Sequence, residues 1–235
     1  MKFNINCDLG EGMSNDAELM PYLDECNIAC GGHYGTIHSM TQTIRLAVKH
    51  NVLVGAHPSF PDKENFGRKA LYIPHDELAN SLYIQITHFL KICSQLNIKM
   101  NHIKLHGALY NLSCVDVKLA QLVLDVYLRL NLDMILFVPY QSVIADLAKG
   151  KFSLAYEAFI DRRYNSDLTL VNRTHINAII DRPLLACRQV SSIVNNGYVT
   201  SLDGEKVKIK ADTLCLHGDN PNALSLIHYL KKQCQ

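Results

Sequence analysis

The chain has 235 residues, of which 48% are hydrophobic and 19% charged, so it can bury a full core as one domain spanning residues 1–235. Its formal net charge of +1 favours neither nucleic acid nor an anionic membrane as a partner, and no apolar run approaches the roughly 18 residues that cross a bilayer. The N-terminus becomes acidic and Gly-rich too soon for a secretory signal, so we expect a cytoplasmic protein whose eight cysteines are free thiols.

Short apolar runs alternate with segments of helical periodicity along the chain. The runs of strand length are 3–7, 26–30, 52–56, 101–105, 133–138, 153–159 and 212–217. Apolar residues spaced for one helix face are Ile37, Met40, Ile44 and Val48, then Leu78, Leu82, Ile86, Phe89 and Cys93, then Val115, Leu119, Leu122, Val126 and Leu130. Further helices are predicted at about 140–149, 184–195 and 221–232.

This alternation predicts an α/β fold with a parallel sheet covered by helices. Seven strands suit a closed or nearly closed (β/α) barrel better than an open sheet. The segment 199–212 breaks the pattern, because Asp203-Gly204 between alternating apolar flanks is typical of a β-hairpin.

Ionisable side chains follow six of the seven predicted strands. In chain order they are Asp8 and Glu11, His33, His57 and Asp62, Lys104 and His106, Glu157 with Asp161 and Arg162, and finally His217 and Asp219. The C-terminal ends of barrel strands lie on one face, where active sites are built. The sequence therefore predicts a ring of polar groups around one mouth, and there we expect Lys104 and His106 to serve turnover with little effect on stability.

Each candidate has a structural alternative. Arg162 could hold a substrate carboxylate with its planar fork or form an internal ion pair with Asp161 or Glu157. Lys104 could polarise a carbonyl or neutralise a phosphate, or it could sit in a buried ion pair. Asp219 could contact substrate or cap the last helix.

Histidines and cysteines also allow two interpretations. Four histidines at equivalent strand ends favour a site over simple packing, namely His33, His57, His106 and His217. The remaining histidines are interpreted as surface or packing residues: His38, His50, His75, His88, His102, His175 and His228. The spacing of Cys26, Cys30 and His33 is loose for a zinc site, so we interpret the two thiols as residues of the apolar core.

Seven blocks occur in the order "NCDLGEG", "NIACGGH", "GAHPSFPD", "FGR", "KLHGALYN", "DRRY" and "HGD". In these blocks the chain resembles the LamB/YcsF family over nearly its whole length. The resemblance implies a distorted (β/α) barrel of the glycoside hydrolase/deacetylase type with seven strands. It also implies the A subunit of an ATP-dependent 5-oxoprolinase, which opens 5-oxo-L-proline to L-glutamate with subunits B and C as partners and ATP as co-substrate.

Together with the strand-end pattern, the resemblance implies two sets of site residues. The catalytic set is Asp8, Glu11, His33, His57, Lys104, His106, Glu157, Asp161 and Arg162. The substrate-binding set is Asn6, Arg68, Tyr110, Asn111, His217 and Asp219. No GxxxxGK[ST] motif occurs, so nucleotide binding would use another loop geometry or the partner subunits.

The chain departs from the family pattern after the second strand. In "GGHYGT", Tyr34 replaces a small residue and Thr36 an acidic one, and Leu105 stands where proline is usual. Two other classes therefore stay open. One is a stand-alone metal-dependent hydrolase or deacetylase with Asp8, His33 and His57 as ligands of a divalent ion. The other is a non-catalytic binding subunit.

Overall fold

Seven parallel strands close into a barrel in the computed structural model, which describes residues 3–131 and 133–233. The strands of the chain are β1 (Asn4–Leu9), β2 (Glu25–Ala29), β3 (Leu53–His57), β4 (His102–Lys104), β5 (Ile135–Pro139), β6 (Ser153–Phe159), β7 (Tyr198–Thr200), β8 (Lys206–Lys208) and β9 (Thr213–His217). The barrel order is β1-β2-β3-β4-β5-β6-β9, with β9 pairing both β6 and β1. The predicted barrel is confirmed.

Helices connect successive strands. They are α1 (Asp16–Leu19), α2 (Ile37–Lys49), α3 (His75–Gln95), α4 (Gly107–Ser113), α5 (Val117–Leu130), α6 (Val143–Ala148), α7 (Pro183–Asn196) and α8 (Ala223–Gln233), with a 3₁₀-helix at Met20–Tyr22. The short elements α1 and α4 and the 3₁₀-helix were not predicted, because each is too short to show an apolar period.

The predicted helix faces are confirmed most fully in α3, where all five apolar residues are buried. In α2, Met40 and Ile44 are buried, but Ile37 and Val48 are exposed because the buried stripe passes through Thr43 and Ala47. In the third set, Val115 is exposed and lies before α5 begins.

The hairpin predicted at 199–212 is confirmed, with β7 and β8 pairing antiparallel. Six cysteines are free, as expected: Cys7, Cys26, Cys30, Cys93, Cys114 and Cys215. Cys187 is disulfide-bonded, so the expectation of free thiols is wrong at that residue. Cys234 lies outside the described residues. No described helix combines the length and apolar character that crossing a membrane requires.

A tight turn after β4 fixes the loops at the C-terminal face of the barrel. Gly107 has φ +57, and a Cβ there would lie 2.5 Å from the carbonyl oxygen of Gly67. The Ala108 amide donates to that carbonyl at 2.9 Å. The "FGR" segment therefore packs directly on the start of α4, which holds His106 between the two loops.

Candidate active site

Lys104 is almost fully buried at the centre of the barrel mouth. Its Nζ lies 2.8 Å from Asp8 Oδ1 and 3.0 Å from Glu157 Oε1, and it donates to Cys215 Sγ at 3.0 Å. Burial alone lowers the pKa of this lysine, but Asp8, Cys215 and Glu157 raise it well above its ordinary value. Lys104 is therefore a permanent cation, and it occupies the buried ion pair that the sequence left as one alternative.

Asp8, at the C-terminal end of β1, is held as a carboxylate by its neighbours. Its Oδ1 accepts from Asn27 Nδ2 at 2.8 Å as well as from Lys104, and its Oδ2 lies 3.4 Å from His57 Nε2. Burial raises the pKa of Asp8, but His57 and Lys104 together pull it well below its ordinary value. Asp8 is thus a poor proton acceptor and a good anchor for positive charge.

Glu157 links Lys104 to Tyr110 of α4, on one side of the barrel mouth. Its Oε2 accepts from the Tyr110 hydroxyl at 2.7 Å. Burial and Glu157 raise the pKa of Tyr110 well above its usual range, so the phenol stays protonated. Asn111, the next residue of α4, is exposed at the rim.

A polar layer supports the site from below. Asn27 Nδ2 also donates to Asn6 Oδ1 at 2.8 Å, and Asn6 Nδ2 donates to Thr213 Oγ1 at 3.0 Å. His102, interpreted from sequence as surface or packing, is buried beside them with its Nε2 2.8 Å from Asn27 Oδ1. Asn6 is fully buried in this layer, so the structure places it under Asp8 rather than on a pocket wall.

Three histidines form a compact cluster next to Asp8. His33 stacks on His106 with ring centroids 3.6 Å apart, and His57 Nε2 lies 2.9 Å from His106 Nδ1. Glu11 reaches the cluster from the loop after β1, with its Oε1 2.8 Å from His33 Nε2. The structure therefore brings together four residues that the sequence predicted separately.

Burial controls protonation in this cluster. It lowers the pKa of His33 to about 2, with His57 as the next cause, and it lowers the pKa of His106 well below its ordinary value. Burial, followed by the charge of Asp8, raises the pKa of the Glu11 carboxyl well above its usual range.

Potential metal ligands fall into groupings that differ from the trio predicted from sequence. Ligand atoms lie within 4.8 Å of one another in the group Asp8, His57 and His106 and in the group Glu11, His33 and His106. Among the described residues, His33 joins Glu11 rather than Asp8 and His57. The trio Asp8, His33 and His57 stays a prediction.

His217 and Asp161 form a second hydrogen-bonded pair at the mouth. His217 Nδ1 lies 2.8 Å from Asp161 Oδ1, while Asn220 Nδ2 donates to Asp161 Oδ2 at 3.0 Å. Burial raises the pKa of Asp161, but His217 and these hydrogen bonds lower it overall. The His217 ring also stacks on Phe159, which fixes its orientation.

The Arg162 guanidinium is buried but makes few hydrogen bonds with the described residues. Its Nη2 donates to the Val171 carbonyl at 2.7 Å, but its Nε has no hydrogen-bond partner among the described residues. It forms no ion pair with Asp161 or Glu157 in the described part of the chain, so that alternative is wrong. Burial, and then Arg173, lower the pKa of Arg162 to about 10. A buried guanidinium with a spare donor is suited to an incoming anion.

Asp219 organises two further arginines. It pairs with Arg68 and lies 3.5 Å from Arg173 Nη1. Burial raises the pKa of Asp219, but Arg173, His217 and Arg68 lower it below the ordinary value. Asp219 thus orients the two arginines, and its contact with substrate stays a prediction. Arg173 was missed in the sequence because it lies in an irregular segment between β6 and α7 that has no strand-end or periodic signal.

A pocket of about 620 Å³ opens at this face. Nine predicted site residues line it: Asp8, Arg68, Lys104, His106, Tyr110, Asn111, Glu157, Arg162 and His217. Five others lie behind the wall in contact with these: Glu11, His33, His57, Asp161 and Asp219. The pocket has Asp8, Glu157 and Lys104 on its floor and Arg68, Arg162 and Arg173 on its wall, so cationic and ionisable side chains face the same space.

The departures at positions 34 and 36 leave this pocket intact. Thr36 is exposed and caps α2, accepting from the Ser39 amide at 3.1 Å, a role that aspartate fills equally well. The Tyr34 hydroxyl packs over Gly12, where a Cβ would lie 2.5 Å away. Neither residue lines the pocket.

Fold and site together define a (β/α)-barrel protein with a pocket lined by charged side chains at the C-terminal ends of its strands. The chain belongs to the LamB/YcsF family, whose model matches residues 3–235.

Similar proteins cover almost the whole chain. It is 39% identical over 228 residues to the A subunit of a 5-oxoprolinase from Bacillus cereus (strain AH187), covering 94% of this chain and 90% of that one. It is 40% identical over 230 residues to the A subunit of a 5-oxoprolinase from Vibrio cholerae serotype O1 (strain O395), covering 95% and 94%. The crystal structure of a lactam utilization protein from Thermus thermophilus superposes with a TM-score of 0.90 at 31% identity, covering 99% and 97%.

Proposed function

We propose that this chain is the A subunit of an ATP-dependent 5-oxoprolinase and that its pocket opens 5-oxo-L-proline to L-glutamate. The observation that carries the proposal is the identity of 39% and 40%, over more than nine-tenths of the chain, to two proteins of that name. The proposal includes subunits B and C as partners and a cytoplasmic location. The six free thiols support that location, and the Cys187 disulfide counts against it.

The reaction needs activation because a lactam carbonyl resists water. ATP transfers its γ-phosphoryl group to the lactam oxygen, giving ADP and a phosphorylated imidate. Water adds to the activated carbon, the ring C–N bond breaks, and the nitrogen leaves with a proton as an amine. A second water then releases phosphate from the acyl phosphate. These steps call for a cation at the oxygen, a base for water and an acid for nitrogen.

The pocket offers one group for each need. Lys104 is a fixed cation on the floor and stabilises negative charge at the lactam oxygen. Glu157 faces the same space and takes the proton of the attacking water. His217 gives a proton to the departing nitrogen, and Asp161 orients it. Arg162 holds the substrate carboxylate with its spare donors.

Asp161→Asn is expected to lower kcat by on the order of a hundredfold with little change in KM, because Asp161 positions the acid and does not touch substrate. The hydrogen bond between His217 Nδ1 and Asp161 Oδ1 is the contact that fixes the imidazole, and the variant weakens it. Asp146→Asn, at an exposed carboxylate on α6, is the control and should change neither quantity. A normal kcat in Asp161→Asn would remove Asp161 from the mechanism.

ATP is proposed to bind together with the partner subunits. The purified chain alone should therefore show little or no ATP hydrolysis stimulated by 5-oxoproline, and addition of subunits B and C should produce glutamate and phosphate. Full turnover by the chain alone would contradict the multi-subunit proposal. Equal turnover by B and C without the chain would contradict its catalytic part.

A further inference from the structure

Hydrogen bonds on the outer side of the histidine cluster determine where two of its protons lie. His57 Nδ1 is 2.9 Å from the Lys104 carbonyl oxygen, and His106 Nε2 is 2.9 Å from the Phe66 carbonyl oxygen. A carbonyl only accepts, so both outer nitrogens must carry hydrogen. The inner nitrogens, His57 Nε2 and His106 Nδ1, are only 2.9 Å apart. In neutral rings, two lone pairs therefore face each other.

The third histidine repeats the pattern. The Ser59 hydroxyl donates to the Phe60 carbonyl at 2.9 Å, so it must accept from His33 Nδ1, also at 2.9 Å. The lone pair of His33 Nε2 then faces Glu11 Oε1 at 2.8 Å. The same carboxylate oxygen lies 3.3 Å from His106 Nδ1.

Protons alone do not provide a partner for every inner nitrogen lone pair of the three histidines. A proton on Glu11 can be donated to one nitrogen, such as His33 Nε2, but the facing pair of His57 and His106 would still need a second proton. Asp8 Oδ2 also points at this pair, 3.4 Å from His57 Nε2. With Glu11 ionised, Asp8, Glu11 and Glu157 carry three negative charges, and among the described residues Lys104 is the one lysine or arginine that pairs with any of them.

We infer that one divalent first-row transition-metal ion binds among Asp8, Glu11, His33, His57 and His106. A dication balances the excess charge and accepts the converging lone pairs. Two nitrogens bound at about 2.1 Å and at roughly a right angle are about 3 Å apart, which matches the distance between His57 and His106. The backbone carbonyls at the outer nitrogens orient both rings as ligands, a common arrangement around metal-binding histidines.

The ligand set selects the class of metal. Imidazole nitrogens suit zinc, iron, nickel or copper, whereas magnesium and calcium prefer shells of oxygen. The site borders the pocket through Asp8 and His106, which line it. The inference does not depend on the reaction proposed above, because it concerns binding alone.

The test is metal binding by the purified, chelator-treated wild-type chain. With Zn²⁺, Ni²⁺ or Co²⁺, we expect about one ion per chain, and at a hundredfold excess over Kd a rise in Tm of about 5–10 °C. Bound Co²⁺ should also give visible absorption bands from its nitrogen ligands. Saturation below about one-tenth of an ion per chain, or equal binding of Mg²⁺ in place of these ions, would overturn the inference.

Variants locate the ion. His57→Gln and His106→Asn should weaken Co²⁺ binding at least a hundredfold, because loss of an outer-sphere partner alone costs about 10–100-fold. His88→Gln, at an exposed position on α3, is the matched control and should bind like wild type. If either site variant fails to fold, Glu11→Gln serves in its place. Wild-type affinity in all folded site variants would place the ion elsewhere and overturn the inference.

Discussion

Lys104→Met is expected to lower 5-oxoproline-dependent turnover by at least about a hundredfold, because it removes the fixed cation from the pocket floor. It should also destabilise the fold. Asp8 and Glu157 would be left buried without their shared partner, which costs about 3–5 kcal/mol of unfolding free energy. The sequence alone predicted an intact fold for such a variant, and the two buried ion pairs are the reason to expect otherwise.

A double variant separates the two effects of Lys104. Lys104→Met with Glu157→Gln removes one of the stranded charges and should regain part of the lost stability while remaining inactive. The destabilisation of the single variant should also lessen as pH falls, because burial raises the pKa of Asp8 once Lys104 no longer lowers it. Lys149→Met, at an exposed ion pair with Asp146, should change little. Near-normal turnover together with a large fall in Tm would show that Lys104 is structural only.

Arg162→Met is expected to raise KM for 5-oxoproline by about 10–100-fold, the range for losing a hydrogen bond to a charged group. Stability should stay level or rise, opposite to the effect at Lys104. The Arg162 guanidinium is buried without an ion pair among the described residues, and methionine removes that desolvated charge while filling similar space.

Two further variants control the Arg162 experiment. Arg162→Lys keeps the charge but loses the planar fork, so its KM should lie between those of wild type and Arg162→Met. Arg188→Met, at an exposed position on α7, should match wild type in both KM and Tm. An unchanged KM in Arg162→Met would remove the arginine from substrate binding.

The barrel could be predicted from sequence because its strands are apolar runs separated by amphipathic helices. The mouth could be predicted because charged residues such as Lys104 stand at the ends of runs that otherwise bury only apolar groups. These signals are local. They depend on the order of residues within one segment and do not depend on contacts with the rest of the chain.

The remaining features depend on contacts between distant segments. Asn27 lies inside an apolar strand, and only the pairing of β1 with β2 shows that it supports Asp8. Ser59 fixes the ring of His33 from 26 residues away. Arg173 reaches the mouth from an irregular segment, where no periodicity predicts its position. The grouping of His33 with Glu11 likewise follows from loop geometry that the spacing does not specify.

The most direct test of the central claim is glutamate formation by the chain assembled with subunits B and C. The wild-type assembly should form glutamate only with ATP present. An assembly with the Lys104→Met/Glu157→Gln chain should retain both partners by size-exclusion chromatography yet form glutamate at less than about one-hundredth of that rate. Glutamate formation at the wild-type rate by that assembly would contradict the claim that the lactam opens in this pocket.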